Sequence, residues 1–117
     1  MGTDRMIFLQ FLRKTLLPLP GVTEKFVFDT PAFYVNDKIF TRIHEDGVNL
    51  VIGTVERDKW MQAKPNVYHI TPHYLNYKYM LVRIDEAEPD DLTELLITAW
   101  RNRATKKLIK RYDENLG

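Results

Sequence analysis

His69 and His73 stand four residues apart, the interval at which two imidazoles on one helix face can grip a zinc ion. Pro72 lies between them, so the segment turns or extends rather than running helical. The pair therefore reads as hydrogen-bonding histidines in a loop, and no metal is expected. The chain contains neither Cys nor Ser, which removes thiolate chemistry and the commonest hydroxyl nucleophile. Its five glycines, at 2, 21, 47, 53 and 117, are too dispersed to cradle a phosphate, so no nucleotide cofactor is expected. Asp85-Glu86 and Asp90-Asp91 pair carboxylates, but at a helix start, where the dipole favours negative charge without any acid–base role. The residues point to a protein without catalysis and without a cofactor.

Two other groupings could bind. The first joins the string Thr71-Pro72-His73-Tyr74 to a basic cluster at Arg101, Arg103, Lys106, Lys107, Lys110 and Arg111. Arg and Lys pair with phosphates, and a loop with His and Tyr can add hydrogen bonds and aromatic contact. Against this, acids early and bases late is the order a helix dipole favours by itself. The six bases also spread around the helix rather than sharing one face. The second grouping is a sheet face. Phe40 and Arg42 alternate with Ile39 and Ile43, and Tyr79 and Arg83 alternate with Met80, Val82 and Ile84. With helices over the aliphatic side, Phe40, Arg42, Tyr79 and Arg83 line the open side. Aromatics interleaved with Arg can stack single-stranded bases, pack against each other by cation–π contact, or form a dimer or peptide interface.

The elements that position these residues follow from periodicity. Phe8, Phe11, Leu12 and Leu16 predict a helix over 4–17, capped by Thr3 or Asp4 and ended by Pro18-Leu19-Pro20-Gly21. One β run follows around Thr30-Pro31. Then come a strand over 38–44, a turn at Glu45-Asp46-Gly47 and a strand over 48–52. A short helix over 54–62, capped by Thr54, precedes strands at 67–70 and 77–84. A single long helix spans 89–112, with Leu92, Leu96, Trp100, Ala104 and Leu108 as its apolar stripe. The order predicts an α+β fold, a two-layer sandwich α-β(3)-α-β(2)-α, whose antiparallel five-stranded sheet carries its helices on one face.

Several strings, taken in order, resemble the MmcQ/YjbR family of small bacterial proteins. They are Leu19-Pro20-Gly21-Val22-Thr23-Glu24, Thr30-Pro31-Ala32-Phe33, Lys38-Ile39-Phe40-Thr41-Arg42-Ile43, Glu45-Asp46-Gly47, Thr71-Pro72-His73-Tyr74, Leu81-Val82-Arg83-Ile84 and Ala99-Trp100-Arg101 with Ala104-Thr105-Lys106-Lys107-Leu108. The resemblance implies the same fold, similar to type III secretion chaperones. It also implies DNA binding, through likeness to a double-wing motif. Thr105 stands where the family usually has proline, and Asn76 where glycine is common.

The length of 117 residues fits one domain, 1–117. The net charge of +1 is lower than a dedicated non-specific DNA binder usually carries. No apolar run approaches the length of a membrane span, and no signal peptide reads at the start, so a cytoplasmic protein is expected. The leading expectation is DNA binding through Thr71, His73, Tyr74, Arg101, Lys106, Lys107 and Lys110. The alternative is a protein- or peptide-binding module using Phe40, Arg42, Tyr79 and Arg83. Ligand identity, strandedness and oligomeric state stay open at this level.

Overall fold

The computed structural model describes residues 5–116; the expected Thr3 or Asp4 cap lies outside them. Helix α1 (Arg5–Leu16) buries Phe8, Leu12 and Leu16 of the stripe its periodicity predicts, with Phe11 only partly buried. Six strands follow: β1 (Thr23–Val27), β2 (Thr30–Val35), β3 (Lys38–Ile43), β4 (Asn49–Gly53), β5 (Tyr68–His69) and β6 (Tyr79–Arg83). Helix α2 (Arg57–Ala63) sits between β4 and β5, and α3 (Pro89–Arg103) and α4 (Lys106–Leu116) close the chain. The strands form one antiparallel sheet in the order β1-β2-β3-β4-β6-β5.

The fold is α+β, as expected, with one strand more. The β run around Thr30-Pro31 is two strands, because Phe28 and Asp29 both adopt positive φ and reverse the chain between Val27 and Thr30. Phe28-Asp29 does not carry the Asn-Gly or Asp-Gly signature of such a turn.

One face of the sheet is covered by helices. Phe33, Val35, Ile43, Leu50, Ile52, Met80 and Val82 meet Leu12, Leu16, Leu92, Leu96 and Trp100 in a single buried cluster. Trp100 anchors it, with Nε1 donating to the carbonyl of Pro20 at 3.0 Å. Trp60 of α2 meets Tyr68 edge-on at 5.3 Å. Among the described residues no helix is long and apolar enough to cross a membrane.

Three further expectations are corrected. The long C-terminal helix breaks at Ala104, whose ψ of 153° is extended. Thr105 then caps α4, its Oγ1 accepting from the amide of Leu108 at 3.3 Å. Leu108 consequently leaves the α3 stripe and is only partly buried. It packs instead beside Gly21, whose φ of +76° favours glycine and where an added Cβ would come within 2.7 Å of Leu108 Cδ1. The second correction concerns Phe40. Phe33 pairs with Thr41 but Tyr34 pairs with Ile39, so a β-bulge skips Phe40. The extra residue inverts the alternation on one side of it. Phe40 enters the helix-covered core at 0% exposure, and Ile39 takes the opposite face. Thr54 caps no helix; its hydroxyl accepts from the Glu56 amide at 3.0 Å one turn before α2.

Candidate binding cleft on the open sheet face

The pairings place Arg42 opposite Val51, and Val51 opposite Leu81. Tyr79 and Arg83 lie two residues either side of Leu81 on the same strand, so all share one face. Arg42 and Arg83 are therefore on the same side, opposite the helices, as the alternation predicts. Lys25 joins them, through Ala32, which pairs with both Lys25 and Arg42.

This face is not bare. A 3₁₀ turn, Pro72–Tyr74, folds over it, and Tyr74 packs on Val51 and Leu81 at 8% exposure. Between this turn and the β1–β2 hairpin lies a cleft of about 310 Å³. Phe28, Tyr34, Tyr74, Tyr77 and Tyr79 supply its aromatic walls and Arg42 its cation, with His73 at the rim. His73 meets Tyr74 edge-on at 4.8 Å and tilts against Tyr77 at 5.9 Å.

Arg42 is tightly held. It forms an ion pair with Glu45, donates to the carbonyl of Ile43, and reaches the Tyr74 hydroxyl at 3.4 Å. Its Cζ lies 5.5 Å from the Phe28 ring centroid, a cation–π distance. The hydrogen bond from Arg42 holds the Glu45 carboxyl below its ordinary range. Lys25 Nζ sits 5.2 Å over Tyr34. Arg83 donates to the carbonyl of Asn66 at 2.9 Å. Burial first, then the Arg83 charge, pushes the His69 imidazole down, so it is neutral near pH 7.

The turn over the cleft is secured from α2. Arg57 donates to the carbonyls of Tyr74 at 2.8 Å, Leu75 at 2.6 Å, Tyr77 at 2.6 Å and Tyr79 at 3.2 Å. A planar fork with five donors suits such a cluster, where an ammonium would not.

Of the residues expected to form one site, His73 and Tyr74 line this cleft, while the Thr71 carbonyl accepts from the Tyr74 amide at 2.9 Å to start the turn. Arg101, Lys106, Lys107 and Lys110 lie on the helical layer, on the other side of the sheet, because Tyr112 of α4 packs against the buried Trp100 at 5.2 Å. Loop and basic cluster therefore do not converge on one surface. Arg101 is paired with Asp113 at 2.6 Å and Lys110 faces Glu114 at 3.9 Å. Lys106 and Lys107 are exposed at the first turn of α4. The helix break thus puts these two lysines where the dipole disfavours cations, and the dipole no longer accounts for them.

Phe28, Tyr34, Tyr77 and Arg57 line or support the cleft and are not among the expected site residues. Phe28 and Tyr34 read as strand residues. Arg57 carries no local signal, because its partners are backbone carbonyls some twenty residues away.

A family model described as YjbR matches residues 17–102. The uncharacterized proteins Rv2570 of Mycobacterium tuberculosis and Mb2600 of Mycobacterium bovis are each 33% identical over 81 residues, 69% of this chain and 57% of theirs. The chain thus spans little more than half the length of these curated relatives. The crystal structure of Deinococcus radiodurans protein DR2400, with its DUF419 domain, superposes with a TM-score of 0.69 at 25% identity, covering 88% of this chain and 86% of that one.

Proposed function

The chain belongs to the YjbR family, and from that premise we propose that it is a non-catalytic protein that binds single-stranded nucleic acid in the aromatic cleft of its open sheet face. The observation that carries this reading is a guanidinium, Arg42, set among five aromatic walls. Every base offers a π-face to such walls, and stacking is sequence-tolerant. Lys25, Arg42 and Arg83 share the face and complement a polyanion. Duplex DNA is less well served, since the expected loop and basic helix lie on opposite sides of the sheet.

The test is fluorescence anisotropy with labelled oligo(dT) and a duplex of equal length, starting at low ionic strength. Oligo(dT) is expected to bind, with a slope of log affinity against log salt of roughly −2, for about three cations engaged. Tyr77→Ala should weaken binding, since the ring is 55% exposed and contributes little to the core. Replacing Lys106, Lys107 and Lys110 together with Gln should leave oligo(dT) binding intact. If the triple variant instead loses oligo(dT) binding and Tyr77→Ala does not, the site is α4 and not the cleft. No binding of either form at low salt rejects the nucleic-acid reading.

One observation favours a second reading, an interaction module for a peptide with an aromatic or apolar side chain. Glu45 already neutralises Arg42, and the exposed Phe28 of the β1–β2 turn lines the cleft beside the edge strand β1.

A further inference from the structure

The two hairpins at the edge of the sheet are built alike. Each has a two-residue turn with both residues at positive φ: Phe28 and Asp29 at 52° and 62°, Asn36 and Asp37 at 54° and 59°. Val27 pairs with Thr30 across the first and Val35 with Lys38 across the second. The second turn uses residues that tolerate the left-handed region. The first places a bulky aromatic there, an outlier for that conformation. Burial does not compensate, because Phe28 is 72% exposed. What the conformation achieves is placement: the Phe28 ring lines the cleft and stands 5.5 Å from Arg42 Cζ.

Residues held in sparsely populated backbone regions cluster at binding and switch sites. We infer that Phe28 is a ligand-stacking residue, held in an unfavourable turn so that its ring projects at the mouth of the cleft opposite the Tyr74–Tyr77 wall, where it covers a base whose phosphate approaches Arg42. This inference rests on the nucleic-acid reading and adds the residue that selects a planar ring.

Phe28 and Asn36 supply their own control, since Phe28→Asn turns the first hairpin into a copy of the second. The variant is expected to unfold about 2–5 °C higher than the parent and to bind oligo(dT) about tenfold more weakly. Phe28→Trp should retain the parent affinity without the gain in melting temperature. A lower melting temperature for Phe28→Asn would assign the ring a structural role against Arg42 and overturn the inference. Undiminished affinity of Phe28→Asn for oligo(dT), with the parent binding normally, would overturn it while leaving the cleft reading in place. A parent chain that binds no oligo(dT) at low salt removes both.

Discussion

Nη1 of Arg57 donates to the carbonyl of Tyr74 across 2.8 Å, tying α2 to the turn that roofs the cleft. Three further carbonyls in the same segment converge on this guanidinium. Arg57→Met removes this shared donor, while the Tyr74 carbonyl keeps the Tyr77 amide at 3.1 Å. It is expected to cost about 1–3 kcal/mol in urea unfolding. Amide exchange should accelerate over residues 74–79 before the core strands respond. Arg57→Lys should recover only part of the loss, because one ammonium cannot reproduce the fork. Equal protection of the turn in parent and Arg57→Met would show that Tyr74 packing alone holds it.

Leu96 is wholly buried between α3 and the sheet. Leu96→Ala should destabilise by about 2–5 kcal/mol through lost burial and the cavity left behind. A change under about 0.5 kcal/mol in chemical denaturation, the range of surface sites, would contradict the packing of α3.

The Tyr68 hydroxyl is buried and has no hydrogen-bond partner among the described residues. Tyr68→Phe keeps the edge contact with Trp60 and removes an unsatisfied group, so stability should rise by about 1 kcal/mol. Burial, then the charges of Asp91, Glu88 and Glu94, pushes the Tyr68 phenol up to about 12. An unfolded tyrosine ionises near 10. The unfolded state therefore loses its proton first as pH rises, and the parent should lose stability between pH 10 and 12. Tyr68→Phe should lack that share of the alkaline decline in denaturant midpoints measured at pH 8, 10 and 11.

Asp46 organises the β3–β4 turn. Its Oδ1 accepts from the amides of Val48 at 2.9 Å and Asn49 at 3.0 Å, and its Oδ2 from Asn49 Nδ2 at 2.8 Å. Burial raises its pKa, but these donors outweigh it and hold the carboxyl below the ordinary aspartate value of 3.8. A depressed carboxylate stabilises the fold above its unfolded pKa, and that stability is lost as pH falls through the folded pKa. Asp46→Asn should therefore be less stable than the parent at pH 6. The difference should shrink steadily below about pH 3.8. A constant gap from pH 6 to pH 2, by urea midpoint, would mean that turn geometry rather than charge is responsible.

Much of the fold was legible because its signals are local. The α1 stripe at Phe8, Leu12 and Leu16, the stop at Pro18-Leu19-Pro20-Gly21 and the turn around Gly47 each depend on residues within a few positions. So does the alternation that put Arg42 and Arg83 on one face. His73 and Tyr74 were expected in one grouping, with the basic helix, and Arg42 and Tyr79 in another, and the structure brings these four to one cleft.

The fold class, the apolar faces of the helices and the polar-aromatic character of one sheet face follow from periodicity, which records which side of an element avoids water. The remaining features depend on how distant segments pack. Phe40 turns inward because β2 and β3 register around a bulge, a relation between two strands that neither strand encodes alone. The basic cluster separates from the Thr71–Tyr74 turn because Trp100 draws α3 into the core and Tyr112 keeps α4 beside it. Arg57 and Phe28 enter the site through contacts spanning some fourteen to twenty-two residues. Side-chain type sets what a residue can do. Which partners it meets depends on where the chain brings distant segments together, and that follows from burying one shared core.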